Sequence, residues 1–164
     1  MGARIKPIPT GYASVTPHLT VRDAGAAIEF YKKAFGAVEK SKDYYADGKT
    51  IMHAEIKIGN SIVMLTDEMP QMIYWLSPSS LNGTTVGLHI YTEDVDAMYR
   101  NAVDAGAKPS MPPTDAFWGD RYGRVTDPFG HEWSIATRNR NLTPEEIRKG
   151  AEEFFAQLGK APAG

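Results

Sequence analysis

His18-Leu19-Thr20-Val21-Arg22-Asp23 returns 71 residues later as His89-Ile90-Tyr91-Thr92-Glu93-Asp94. Gly59 of Ile58-Gly59-Asn60-Ser61 returns at the same offset as Gly130 of Phe129-Gly130-His131-Glu132. Between these anchors the register slips by one, since Asp23 to Gly36 is 13 residues and Asp94 to Gly106 is 12. Two copies of one supersecondary unit imply a pseudo-twofold molecule with its site at the seam.

Within the first copy, Val15 to Val21 alternates. Val15, Leu19 and Val21 fall on one side and Thr16, His18 and Thr20 on the other, which predicts a half-buried strand. Asp23 stands where an N-cap belongs, and Ala26, Ala27, Phe30, Tyr31, Ala34 and Phe35 make one face of a helix that Gly36 stops. Strands over about 37–45, 50–58 and 61–66 follow, with Asp47-Gly48 and Gly59-Asn60 as hairpin turns. The order β-α-β-β-β repeats after a linker with Pro70, Pro78 and Asn82-Gly83. There the expectation is a strand over 85–92, a helix from Val95 to Ala105, and a short strand near Lys108. Pro112-Pro113 then opens a long loop to Asp120, and strands over 121–126 and 131–137 flank Asp127-Pro128-Phe129-Gly130. The predicted division is a first module at 14–66, a linker at 67–83, a second module at 84–137 and a helical extension at 138–164. In that extension Thr143-Pro144-Glu145-Glu146 reads as a capping box, and Ile147, Ala151, Phe154, Phe155 and Leu158 form an apolar stripe.

The bulk composition narrows the function classes. The 164 residues are 42% hydrophobic and 23% charged with a net charge of −2, which is globular and offers no basic surface for nucleic acid. No apolar run is long enough to cross a membrane. With no cysteine there is no disulfide, thiol nucleophile or thiolate metal site, and the expected location is the cytoplasm. No phosphate-binding glycine loop, His-Glu-x-x-His or Gly-x-Ser-x-Gly is present.

The paired units, the opening Pro17-His18-Leu19-Thr20-Val21-Arg22-Asp23 and the closing Asp127-Pro128-Phe129-Gly130-His131-Glu132-Trp133-Ser134-Ile135 resemble the vicinal oxygen chelate superfamily of glyoxalases, bleomycin-resistance proteins and dioxygenases. Phe117-Trp118-Gly119-Asp120-Arg121-Tyr122-Gly123 and Met52-His53-Ala54-Glu55 are most similar to its PhnB-like branch. The resemblance implies an α+β fold of two curved sheets around a cavity, and a homodimer with cavities shared between chains. It also implies metal ligands on the first and last strands of each module of metal-dependent members. By register those positions are Thr16, Gly87, Ser134 and Val63. None supplies a carboxylate or imidazole, so glyoxalase I activity is not expected.

Strand parity gives the cavity face without the resemblance. His18 and Thr20 face it from the first strand, and Gly87, His89 and Tyr91 from the equivalent strand of the second copy. From the third strand come Ile51, His53, Glu55 and Lys57, with Met52, Ala54, Ile56 and Ile58 under the helix. Tyr122, Arg124 and Thr126 share the face in the second copy. Trp118 belongs to the loop before them, whereas Trp75 in the linker is a weaker ligand contact. The candidate ligand-binding set is therefore His18, His53, Glu55, His89, Tyr91, Trp118, Tyr122 and Arg124. These groups can bond one another in a satisfied network or meet a ligand. Asp120-Arg121 is expected to be a loop-fixing ion pair, Trp133 to be core, and His131 to be exposed.

Two functions fit. One is a metal-independent protein that takes a small, partly aromatic molecule into the cavity, with no cofactor. The alternative is a lyase, isomerase or dioxygenase, either with a displaced divalent metal on His18, His89 and Glu55 or metal-free through His53 and Glu55.

Overall fold

Asp23 and Asp94 start equivalent helices in the same way. Each has an extended backbone, and its side-chain oxygen accepts the amide three residues on, from Ala26 at 2.8 Å and from Ala97 at 2.9 Å. The computed structural model describes residues 6–71 and 75–158, and its elements follow in chain order. The first module comprises β1 (His18–Val21), α1 (Ala24–Phe35), β2 (Val38–Tyr44), β3 (Ile51–Ile58) and β4 (Ser61–Asp67). A short helix, α2 (Pro78–Leu81), sits in the connection. The second module comprises β5 (Gly87–Tyr91), α3 (Val95–Asp104), β6 (Lys108–Asp115), β7 (Asp120–Thr126) and β8 (Glu132–Arg138), and α4 (Pro144–Leu158) closes the chain. Gly36 ends α1 at φ +66, where a Cβ would be strained.

Each module makes one four-stranded sheet, ordered β1-β4-β3-β2 and β5-β8-β7-β6. The first strand of each lies parallel to the last and is an edge, so the two sheets are pseudo-equivalent in register as well as in sequence. One face of each sheet lies under its helix; the other is the concave face. The modules meet on their helix sides. There α1 packs on α3, Tyr31 and Phe35 meet Trp133 at 5.4 and 4.7 Å, and Phe30 meets Phe129 at 6.2 Å. One hydrophobic core therefore runs through both modules. No helix among the described residues is long and apolar enough to cross a membrane.

Several expectations need correction. Val15 and Val86 lie outside their strands and are exposed, because β1 and β5 begin only where pairing with β4 and β8 begins. The long loop expected from Pro112 is strand: β6 runs on through Pro112 and Pro113 to Asp115. It is an edge, so the prolines remove only amides with no partner to meet, and register shifts absorb their geometry. In β3 the order of the first two residues is reversed, with Ile51 buried and Met52 45% exposed. Adjacent Asp43 and Tyr44 of β2 pair with His53 and Ile51, so Met52 is an extra, unpaired residue of β3 that flips the parity at that point, while His53 to Ile58 keep the expected alternation.

His131 is buried rather than exposed. Its backbone amide bonds Asp127, and its Nε2 lies 3.1 Å from the Thr20 carbonyl, which it satisfies on the open edge of β1. Asp120 and Arg121 do not pair. They are neighbours on a strand and point to opposite faces, so Arg121 binds Asp96 of α3 at 2.7 Å and Asp115 at 3.4 Å on the helix side.

Candidate functional site

The concave face of the second sheet is built from alternate residues of three strands. β5 contributes His89 and Tyr91, β7 contributes Asp120, Tyr122 and Arg124, and β8 contributes Glu132 and Ser134. The register places His89 beside Ser134 and Ser134 beside Arg124, with Tyr91 and Tyr122 flanking Ala136. Small Ala136 leaves room for the tyrosines on either side of it.

The aromatic rings form one surface. His89 meets Tyr91 edge-on at 4.6 Å and stacks on Tyr122 at 6.1 Å with 16° between planes. Tyr122 in turn meets Trp118 edge-on at 5.4 Å. Buried Asp120 fastens this surface, accepting the Trp118 indole N–H at 3.0 Å and the Tyr91 hydroxyl at 3.1 Å. The hydrogen bond to that carboxylate, with some burial, raises the Tyr91 phenol above its ordinary pKa. His89 Nδ1 shares a 2.7 Å hydrogen bond with Ser134. Arg124 pairs with Glu132 at 3.3 Å, and Glu132 also takes a short hydrogen bond from Thr126. Asp120 was missed as a site residue because its sequence neighbour Arg121 offered a simpler partner.

The first sheet gathers a second, smaller group. The imidazoles of His18 and His53 lie 5.8 Å apart, edge to face, and His53 Nε2 is 3.2 Å from Glu55. Trp75 packs edge-on against His18 at 5.2 Å, a closer role than its place in the connection implied. Partial burial, then the neighbouring His53, lower the His18 pKa and favour its neutral ring. The Tyr12 phenol beside Glu55 holds that carboxyl below its usual range, with His53 acting in the same direction against the effect of burial. The eight sequence-derived residues thus divide three to five between the sheets.

At the seam, Pro17, the β1 edge from His18 to Thr20, Leu81, Val86 and His131 line a cleft of about 540 Å³.

A model of the glyoxalase/bleomycin resistance protein/dioxygenase superfamily matches residues 12–135, which takes in the first module and the second as far as the middle of β8. The chain belongs to that superfamily. An uncharacterised protein of Mycobacterium bovis is 46% identical over 137 residues, covering 82% of this chain and 90% of its own. The crystal structure of an Arabidopsis thaliana gene product aligns with a TM-score of 0.60 and 30% identity over 76% of this chain and 98% of that one. A PhnB protein from Bacillus cereus shares the fold at a TM-score of 0.60 and 18% identity, covering 76% and 99%.

The superfamily's metal positions do not fit a metal in this member. Thr16 lies ahead of β1 and donates to the Ala13 carbonyl, Val63 is buried, Gly87 has no side chain, and Ser134 bonds His89. Nor do His18, Glu55 and His89 come together. Among the described residues no group of three or more His, Asp or Glu could hold a metal ion.

Proposed function

We propose that this superfamily member binds a small, partly aromatic molecule on the concave face of the second sheet, by stacking rather than through a metal. The observation that carries the reading is the continuous surface of His89, Tyr91, Tyr122 and Trp118, fixed from beneath by Asp120. Rings held by a buried carboxylate are pre-organised, so a planar ligand meets them with little ordering cost. Tyr91, the last residue of β5, is 64% exposed, an apolar area of a kind that proteins use at binding sites. Arg124 and Glu132 add a charged rim beside it.

A homodimer completes this reading. A second copy would set the His18, His53 and Glu55 group of one sheet across from the aromatic surface of another. Sedimentation velocity tests the dimer, and a monomeric mass with and without ligand removes that part. The binding is tested by calorimetric titration with a panel of planar aromatic compounds. Trp118→Ala should weaken any hit by about tenfold or more, in keeping with about 1–3 kcal/mol for a stacked ring. Unchanged affinity in that variant, or no binding across the panel, refutes it.

The 3.2 Å contact between His53 and Glu55 favours one second reading, a metal-free enzyme in which Glu55 orients His53 as general base. It requires that a bound carbonyl compound exchange its α-hydrogen in D₂O, and that His53→Gln stop the exchange.

A further inference from the structure

The cleft of about 540 Å³ at the seam lies between the open edge of β1 and the connection that leads through α2 into β5, with the turn before β8 behind it. It takes in none of the aromatic surface and neither His53 nor Glu55, so it is distinct from the concave face of either sheet. Its walls are aliphatic, formed by Pro17, Leu19, Leu76, Leu81, Val86 and Leu88. Among the described residues its lining holds no carboxylate, ammonium or guanidinium. Leu81 and Val86 are 61% and 65% exposed, an apolar rim left to water. The volume lies within the roughly 300–1,000 Å³ of small-molecule sites.

One polar side chain of the lining is only half used. His131 is 8% exposed, and its Nε2 lies 3.1 Å from the Thr20 carbonyl. A carbonyl can only accept, so the ring carries a proton on Nε2, and the neutral imidazole then presents Nδ1 as an acceptor. Nδ1 has no partner among the described residues. Among those residues no sealed side-chain nitrogen is left unpaired, so Nδ1 opens on the cleft that His131 lines. An occupant that leaves this acceptor dry and unpaired loses affinity, whereas one that brings a donor gains it. We propose that the seam cleft binds an uncharged aliphatic alcohol, its chain along the leucine and valine walls and its hydroxyl donating to His131 Nδ1. A carboxylate would meet a lone pair and no cation, and an ether would bring no donor. This site goes beyond stacking on the second sheet and stands whether or not that reading holds.

The test uses the intact protein at pH 8 and ¹⁹F NMR with 6-fluorohexan-1-ol as the probe. Saturable binding with a low-millimolar Kd is expected. Its methyl ether and 6-fluorohexanoate should each bind at least about fivefold more weakly. The Nδ1 resonance of His131 in an imidazole ¹⁵N spectrum should move as the alcohol saturates. Val86→Glu sets a carboxylate on the rim at a position exposed enough for the fold to survive, verified by circular dichroism, and should weaken the alcohol by about fivefold or more. The proposal is overturned if the alcohol does not saturate, if the ether or the carboxylate binds equally well, if the His131 resonance stays in place, or if Val86→Glu has no effect.

Discussion

Asp127 closes the turn before β8 and also holds the two modules together. Its carboxylate accepts the Tyr31 hydroxyl at 2.7 Å, the Trp133 indole N–H at 2.9 Å and the amides of Phe129 and His131, all within the core or at its edge. Removing it strands several donors away from water. Asp127→Ala should therefore cost about 3 kcal/mol or more, read as a lower urea midpoint at unchanged slope. Tyr31 sets a pH limit through the same contact. Burial, then the Asp127 charge, push its phenol well above the usual value, so the folded chain keeps the proton that the unfolded chain loses at about pH 10. The contribution is complete below that pH and is lost as pH rises beyond it. Denaturant midpoints followed from about pH 8 to 11 should fall less steeply in Tyr31→Phe than in the parent. Gly119 is a third position that tolerates no change. At φ +102, a Cβ there would lie 2.7 Å from the Arg140 carbonyl, so Gly119→Ala should cost about 2–3 kcal/mol and disturb Trp118 and Asp120 on either side.

Among the elements, α4 differs most from the rest. Thr143 and Glu146 form the expected capping box, with the Thr143 amide donating to Glu146 and the Glu146 amide to Thr143 Oγ1. Yet none of its 15 residues is buried, and Phe154, Phe155 and Leu158 are 45%, 62% and 54% exposed. Phe117 packs against Gly150 and Phe154, which holds the helix by a narrow strip. By contrast α1 buries seven of its residues in the shared core. Hydrogen exchange should consequently be at least about 100-fold faster in α4 than in the middle of α1. Equal protection would mean that another surface covers α4 in solution.

For the whole molecule, one core spanning both modules makes their folding interdependent. The packing of Tyr31, Phe35 and Trp133 crosses the junction, so neither module keeps its own core when the other opens. Unfolding should be a single transition, with far-ultraviolet dichroism and tryptophan fluorescence changing at the same denaturant concentration. Two separated transitions would show that the modules are independent despite their contact.

The sequence by itself determined the repeat, both helices with their aspartate caps, and most of the concave faces. All of these follow from local backbone rules: a period of two in strands, a cap at each helix start, and glycine where φ is positive. The alternation from His53 to Ile58 and from Tyr122 to Thr126 held for that reason. Only the tertiary structure decided which of those side chains meet. Asp120 took Trp118 and Tyr91 instead of Arg121, since strand pleating sends consecutive residues to opposite faces. His131 was buried to satisfy a carbonyl 111 residues away, and Met52 was turned outward as the unpaired extra residue of β3 against β2. Those outcomes depend on partners distant in sequence, and no local pattern encodes them.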